Sequence, residues 1–222
     1  MDTAKRGEPM DCSILRGLDV TPKMAVLLAE EGWLINLSKE TYLLRGDLPS
    51  RDGTLVYLSG RIPGLHVGGK TALDWQGVRH NVAFRERLVL WGQKRFKFPR
   101  WVDETISYSY QATSLFDERM DYFYGLKSLP NGNRSVLVSI PERAVLELVS
   151  EIGKGQSLEE VKNLMDFMRN LRQEVLCDFI ANCKRKKVVK LVQKLGREAK
   201  FEWAEDLLEK AEQVKVNKSS SS

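Results

Sequence analysis

Residues Gly64 to Gly77 read GLHVGGKTALDWQG. The first eight fit G-x-x-x-x-G-K-[ST], the loop that cradles phosphate in many ATPases and GTPases. Gly64, Gly69, Lys70 and Thr71 hold its defined positions. A working phosphate loop needs a buried strand running into its first glycine, then a helix whose first amides face the anion. Here Pro63 precedes Gly64, and Gly60 interrupts the apolar run before it. "LHV" inside the loop has the character of a strand. The partner strand that would end in a magnesium-holding Asp is missing, since "RLVLWG" ends without a carboxylate. The stretch therefore reads as a strand-to-helix turn. Gly68 and Gly69 let "LHV" swing into the helix "TALDWQ", Thr71 caps that helix, Lys70 stays on the surface and Gly77 ends it. A nucleotide-binding enzyme built on the Gly64–Thr71 loop stays open as an alternative.

Outward from this turn, the N-terminal side reads as two short helices and a hairpin. Asp11 can cap the first helix. Thr21 can cap the second, with Pro22 at its first position, where a missing N–H costs nothing. "INLSKETYLL" follows as two extended runs around the polar turn "SKE". "TLVYLSGRI" is ambiguous between strand and short helix. Residues 1–9 are polar and read as loose.

On the C-terminal side, "ERLVLWGQ", "TISYSYQATSLF", "YFYGLKSL" and "RSVLVSI" carry β-branched and aromatic residues between turn signals. Asn131-Gly132 marks a hairpin turn between the last two. From Ser139 the pattern becomes helical. Ser139…Glu142 and Ser157…Glu160 are spaced as capping boxes. The second opens a helix with Leu158, Val161, Leu164, Met165, Met168 and Leu171 along one face. Two more amphipathic helices follow, with Gly196 expected to end the latter, and "EWAEDLLEKAEQV" forms a last one. The reading is α+β. A small winged-helix-like module at 10–48 precedes a mixed domain at 53–214, with a mainly antiparallel sheet and a C-terminal helical cluster. Residues 215–222 form a flexible tail.

Composition excludes several function classes. The chain has 222 residues, 42% of them hydrophobic and 29% charged, within the ordinary globular range. Its longest apolar runs are about five residues, where a membrane span needs about 20. No membrane partner is expected, and the polar start implies a cytoplasmic protein. Cys12, Cys177 and Cys183 form no C-x-x-C, and His66 and His80 lie far from them. No metal site, cofactor or catalytic residue is expected. Asp117, Glu118 and Asp121 in "DERMD" come closest to a metal-holding acidic pair and read as a solvated turn.

Net charge is +5, unevenly spread. Residues 184–200 carry eight Lys/Arg against one Glu, and residues 81–101 carry six against one. Both regions are compatible with a nucleic-acid phosphate backbone, or with a solvated surface. Lys184, Arg185, Lys186, Lys187, Lys190 and Lys194 recur so that several share a helix face opposite Val188, Leu191, Val192 and Leu195. They form a candidate basic patch.

Several segments, in order, resemble AbiEi-type antitoxins of type IV toxin–antitoxin systems, which are bacterial transcriptional regulators. "EGWLINLSKETYLLRGD" resembles the recognition-helix end and wing of that family's winged helix. "LHVGGKTALDWQG" is similar to the signature opening its central domain, and "RLVLWGQ" with "FPRW", then "SYQATSLF", to its next strands. "VSIPERAVLELV" and "SLEEVKNLMDFMRNLRQEVL" resemble its later helices. The resemblance implies a DNA-binding autorepressor acting on promoter inverted repeats. It also implies an antitoxin that counteracts a companion nucleotidyltransferase-like toxin without a stable complex, as a monomer or weak dimer. It further implies that "TLVYLSGRI" is helical. On this reading Thr21, Lys23 and Met24 begin a recognition helix, while Lys39 on the wing and Arg45 after it reach phosphate. The module departs from the family pattern. Residues 10–50 hold four cations against six acids, and the helix that opens the family's winged helix is missing, so the module is expected to be truncated.

Overall fold

The computed structural model describes residues 5–78, 87–128 and 133–219, with side chains through residue 216. The chain opens with β1 (Met10–Asp11), α1 (Cys12–Arg16), α2 (Pro22–Glu30), β2 (Leu34–Ser38) and β3 (Thr41–Leu44). Local chemistry sets these boundaries. The Asp11 carboxylate accepts from the Ser13 and Ile14 amides, and the Thr21 hydroxyl accepts from the Met24 amide at 3.2 Å, with Pro22 in the first turn. β2 and β3 pair antiparallel from Leu34↔Leu44 to Ser38↔Thr41. β1 adds to the other side of β3, a strand the sequence pattern does not announce. Met10, Leu15, Val20, Ala25, Leu34 and Tyr42 close a small core between helices and sheet.

Gly7 and Glu8 are not loose. The Gly7 carbonyl accepts from the Ser50 amide at 2.9 Å, and the Gly7 amide donates to Asp47 Oδ2 at 3.0 Å. The ambiguous "TLVYLSGRI" lies on a helix, α3 (Arg51–Ser59), capped by Ser50. This helix fastens the small module to the rest. Tyr57 and Thr41 share a hydroxyl–hydroxyl hydrogen bond of 2.9 Å, and Arg61 just beyond the helix donates to Asp11 Oδ2 at 3.2 Å.

The remainder holds β4 (His66–Val67), α4 (Gly69–Trp75), β5 (Leu88–Trp91), α5 (Arg100–Thr105), β6 (Tyr108–Gln111), β7 (Leu126–Ser128) and β8 (Leu137–Ser139). Helices follow as α6 (Pro141–Ser150), α7 (Leu158–Met165), α8 (Gln173–Asn182), α9 (Lys186–Glu198) and α10 (Leu207–Ser219). The sheet order is β6-β5-β4-β8-β7. Its four pairings divide evenly: β4–β5 and β7–β8 are antiparallel, β4–β8 and β5–β6 parallel. Both pairings of the small sheet are antiparallel, so four of the six strand pairings among the described residues are antiparallel, while the larger sheet itself is mixed. Leu88, Leu90, Leu146, Leu148, Leu176 and Phe179 are among the side chains buried in one large core shared by sheet and helices.

Some helix ends differ from the sequence pattern. Ser139 does not cap α6; Ile140 holds the N-cap position without a side-chain bond, and Ser139 Oγ donates to Glu147 instead. Glu142 turns to Arg172, accepting from its amide and guanidinium. α7 stops at Met165, yet Met168 and Leu171 still reach the core. Leu158, at the start of its expected apolar face, is exposed instead. α9 runs through Gly196, where the Trp203 ring lies 2.5 Å from the position of an added Cβ. α10 continues to Ser219, into the stretch expected as a tail. Asn131-Gly132 lies outside the described residues.

Candidate nucleic-acid interface

The glycine turn fits the phosphate-loop pattern in sequence, and its geometry is that of a filled strand-to-helix turn. β4 ends at Val67, Gly68 is the N-cap of α4 and Gly69 has φ +50°. In a phosphate loop the next amides would face an anion. Here the Gly69 amide donates to Glu147 Oε2 at 3.0 Å. That oxygen also sits 2.3 Å from where a Gly68 Cβ would be. The chain's own carboxylate, carried in from α6, occupies the place of a phosphate. Thr71 does not cap α4. It is buried, and its hydroxyl accepts from the Val89 amide at 2.9 Å, tying helix to strand. Lys70 is half-buried and bridges to Glu160 on α7. Gly77, at φ +89°, closes the helix as expected.

Glu147 is the hub of a buried polar group drawn from segments far apart in the sequence. Arg143 Nε donates to its Oε1 at 2.9 Å, and Ser139 Oγ donates to its Oε2 at 2.8 Å. His66 Nε2 faces Oε1 at 3.1 Å, while His66 Nδ1 faces the Gly64 carbonyl at 2.8 Å. Arg143 Nη1 donates to the Tyr122 and Tyr124 carbonyls. Burial alone would raise the Glu147 pKa. His66 and Arg143 overcome it and hold the carboxyl down at about 2. The i,i+4 spacing of Arg143 and Glu147 was a signal in the sequence; its meeting with His66 depends on β4 lying beside α6. This group joins α4, β4, β8 and α6 as a structural lock.

The cationic surface lies elsewhere. On α9 the side chains of Val188, Val192 and Leu195 are buried, and Leu191 is half-buried. Lys186, Lys187, Lys190 and Lys194 are exposed on the other side. Among the described residues Lys186, Lys187 and Lys190 have no acidic partner, and Lys194 has Glu198 at 3.8 Å. Lys184 is exposed and Arg185 half-buried at the helix start. Sequence spacing therefore located this stripe correctly on a helix face.

In the N-terminal module Thr21, Lys23, Met24, Lys39 and Arg45 are all exposed. The Thr21 hydroxyl is spent on its helix cap. Lys39 lies at the hairpin turn beside Glu40, which has φ +57°. The other exposed residues of α2 are Pro22, Val26, Leu27 and Glu30, with Glu31 following. Glu30 and Glu31 would repel a phosphate backbone, and Val26 and Leu27 offer it no donors.

Among the described residues no group of three His, Cys, Asp or Glu could hold a metal ion, and no helix is long and apolar enough to cross a membrane. Fold and surface together define a two-part α+β protein, a small helix–hairpin module joined to a mixed domain that presents a lysine-striped helix.

The chain belongs to the AbiEi antitoxin family of transcriptional regulators of type IV toxin–antitoxin systems. The family profile described as "Transcriptional regulator, AbiEi antitoxin, Type IV TA system" matches residues 85–221. The profile of the "AbiEi antitoxin N-terminal domain" matches residues 1–84. That description names a regulator and antitoxin, not a class of enzyme. Among solved structures, the RV2827C protein from Mycobacterium tuberculosis shares the fold, with a TM-score of 0.56 at 14% identity over 91% of this chain and 76% of its own. No curated protein matches the chain.

Proposed function

We propose that the chain is the antitoxin and DNA-binding autorepressor of a bacterial type IV system. It acts in the cytoplasm against a companion nucleotidyltransferase-like toxin and has no catalytic step or cofactor of its own. The observation that supports DNA contact is the α9 stripe. Lys186, Lys190 and Lys194 repeat every four residues over about 12 Å of helix, with their ammonium groups outward and Lys187 beside them. Cations held on a rigid helix and little neutralised by neighbouring acids release counterions when they meet a phosphate backbone. Lys39 and Arg45 of the N-terminal module would add phosphate contacts at the hairpin, and the inverted repeats of the chain's own promoter are the expected target. Toxin neutralisation would proceed without a stable complex.

A gel shift tests this reading, with DNA from upstream of the gene and scrambled DNA of equal length. A sequence-dependent shift at modest salt supports the repressor, and its absence rejects it. The net acidic charge of residues 10–50 favours a second reading, a nucleic-acid-binding module that uses α9 without repressor activity. Equal shifts on both DNAs would select that reading. Replacing Lys186, Lys187, Lys190 and Lys194 by Gln should flatten the salt dependence in either case.

A further inference from the structure

α2 carries an exposed face that nothing within the chain uses. Ala25 is its one fully buried side chain, with Leu28 and Ala29 half-buried beside it. Opposite them, Met24, Val26 and Leu27 are 46–48% exposed. Lys23 and Glu30 share that outer side, and Glu31 lies at its end. Among the described residues none of these three charges has an ion-pair partner, although each has opposite charge on the same helix. Lys23 and Glu30 stand seven residues apart, about 10 Å along the axis, too far to meet within one helix.

We propose that this face docks on the same face of a second copy, as an antiparallel α2–α2 contact with its two-fold axis at Leu27. Lys23 stands four residues before Leu27, and Glu30 and Glu31 stand three and four after it. Turning a second α2 about Leu27 therefore brings each Lys23 against the partner's acids, twice. Leu27 meets its own copy at the centre, with Met24 and Val26 covering it. An isologous contact of this kind needs one self-complementary patch, and the charge order along α2 is self-complementary in the antiparallel sense. Exposed apolar side chains ringed by opposite charges are the surface such a contact buries. A helix of nine residues covers less than the roughly 800 Å² per partner of a standard interface, so the dimer is weak and forms at micromolar concentration or when two copies are held close together. The inference rests on DNA contact through α9 and the hairpin residues Lys39 and Arg45, because Lys23 and Met24 cannot face a second copy and DNA at once. Two-fold pairing would also match the symmetry of an inverted repeat.

Sedimentation equilibrium of the full chain without DNA, from low micromolar to several hundred micromolar, tests the proposal. A monomer–dimer equilibrium is expected, and Leu27→Asp should abolish it across that range. Lys23→Glu alone, or Glu30→Lys with Glu31→Lys, should each raise the dissociation constant about tenfold, from two lost and two repulsive pairs. The triple variant Lys23→Glu/Glu30→Lys/Glu31→Lys should restore it. These positions are exposed, so circular dichroism should report unchanged folding. A monomer at every concentration, a dimer indifferent to Leu27→Asp, or a triple variant no tighter than its parents would each overturn the proposal. None of these results bears on the gel shift, so the two readings fail separately.

Discussion

Replacing Glu147 by alanine should cost about 4 kcal/mol of stability. The carboxylate accepts from the Gly69 amide at 3.0 Å, Ser139 Oγ at 2.8 Å and Arg143 Nε at 2.9 Å, and faces His66 Nε2 at 3.1 Å. Without it the Arg143 guanidinium, 4% exposed, and the His66 ring, 0% exposed, lose their anion where water does not reach. Removing one partner of a buried pair costs about 3–5 kcal/mol. The bonds of Arg143 to the Tyr122 and Tyr124 carbonyls survive and hold the estimate to the middle of that range. For a chain of this length the melting temperature should fall about 8–16 °C. Urea and thermal unfolding followed by circular dichroism at pH 7 measure it. A loss under about 1 kcal/mol would refute the assignment of Glu147 as the lock. The pH dependence gives an independent reading. The folded carboxyl is held at about 2, below its ordinary 4.5. Its contribution is therefore complete above about pH 4.5 and is lost as pH falls toward 2, about 3 kcal/mol in all. Glu147→Gln should remove that part of the acid slope.

Other outcomes follow from the same geometry. Gly68→Ala drives a methyl group to 2.3 Å from Glu147 Oε2 and 2.6 Å from Trp91 Cδ1; it should lower stability by about 1–3 kcal/mol, and by less in the Glu147→Ala background, as unfolding of the double variant would show. Lys70→Ala removes only a half-exposed bridge to Glu160 and should change stability by less than about 1 kcal/mol. Calorimetry of the parent chain with ATP or GTP and magnesium should show no binding, and heat that vanishes in Lys70→Ala would overturn the scaffold reading of the glycine turn. In the quadruple Gln variant of α9, the slope of log K against log salt should shrink by up to about 0.9 per lysine engaged, and an unchanged slope would remove α9 from the interface. Cys177, 2% exposed and with its thiol pKa raised by burial, should react with a thiol reagent only as fast as the chain unfolds.

Much of the architecture was readable because it is local. Asp11, Thr21 and Ser157 cap helices through bonds that span three or four residues. Gly77 ends α4 because that position needs a positive φ. The α9 stripe follows from helical period alone. Ser139 and Thr71 misled for one reason. Each has a hydroxyl able to cap a nearby helix, and each is drawn away by a partner brought close only in the folded chain: Glu147 for Ser139, the Val89 amide for Thr71. Gly196 misled because a glycine that ends a helix and one that admits a Trp ring look alike in sequence. On α2 the sequence placed Thr21, Lys23 and Met24 at the helix start, and the fold adds that Val26, Leu27 and Glu30 are exposed with them.

The sequence by itself determined the α+β class, the caps at Asp11, Thr21 and Ser157, the basic face of α9 and the resemblance to the family, because these depend on neighbours along the chain. Tertiary structure alone decided what the glycine turn at residues 64–71 does. A turn of that composition can hold a phosphate or be filled from within. The packing of α6 against α4 settles it by placing the Glu147 carboxylate, 78 residues beyond Gly69, on the amide a phosphate would need.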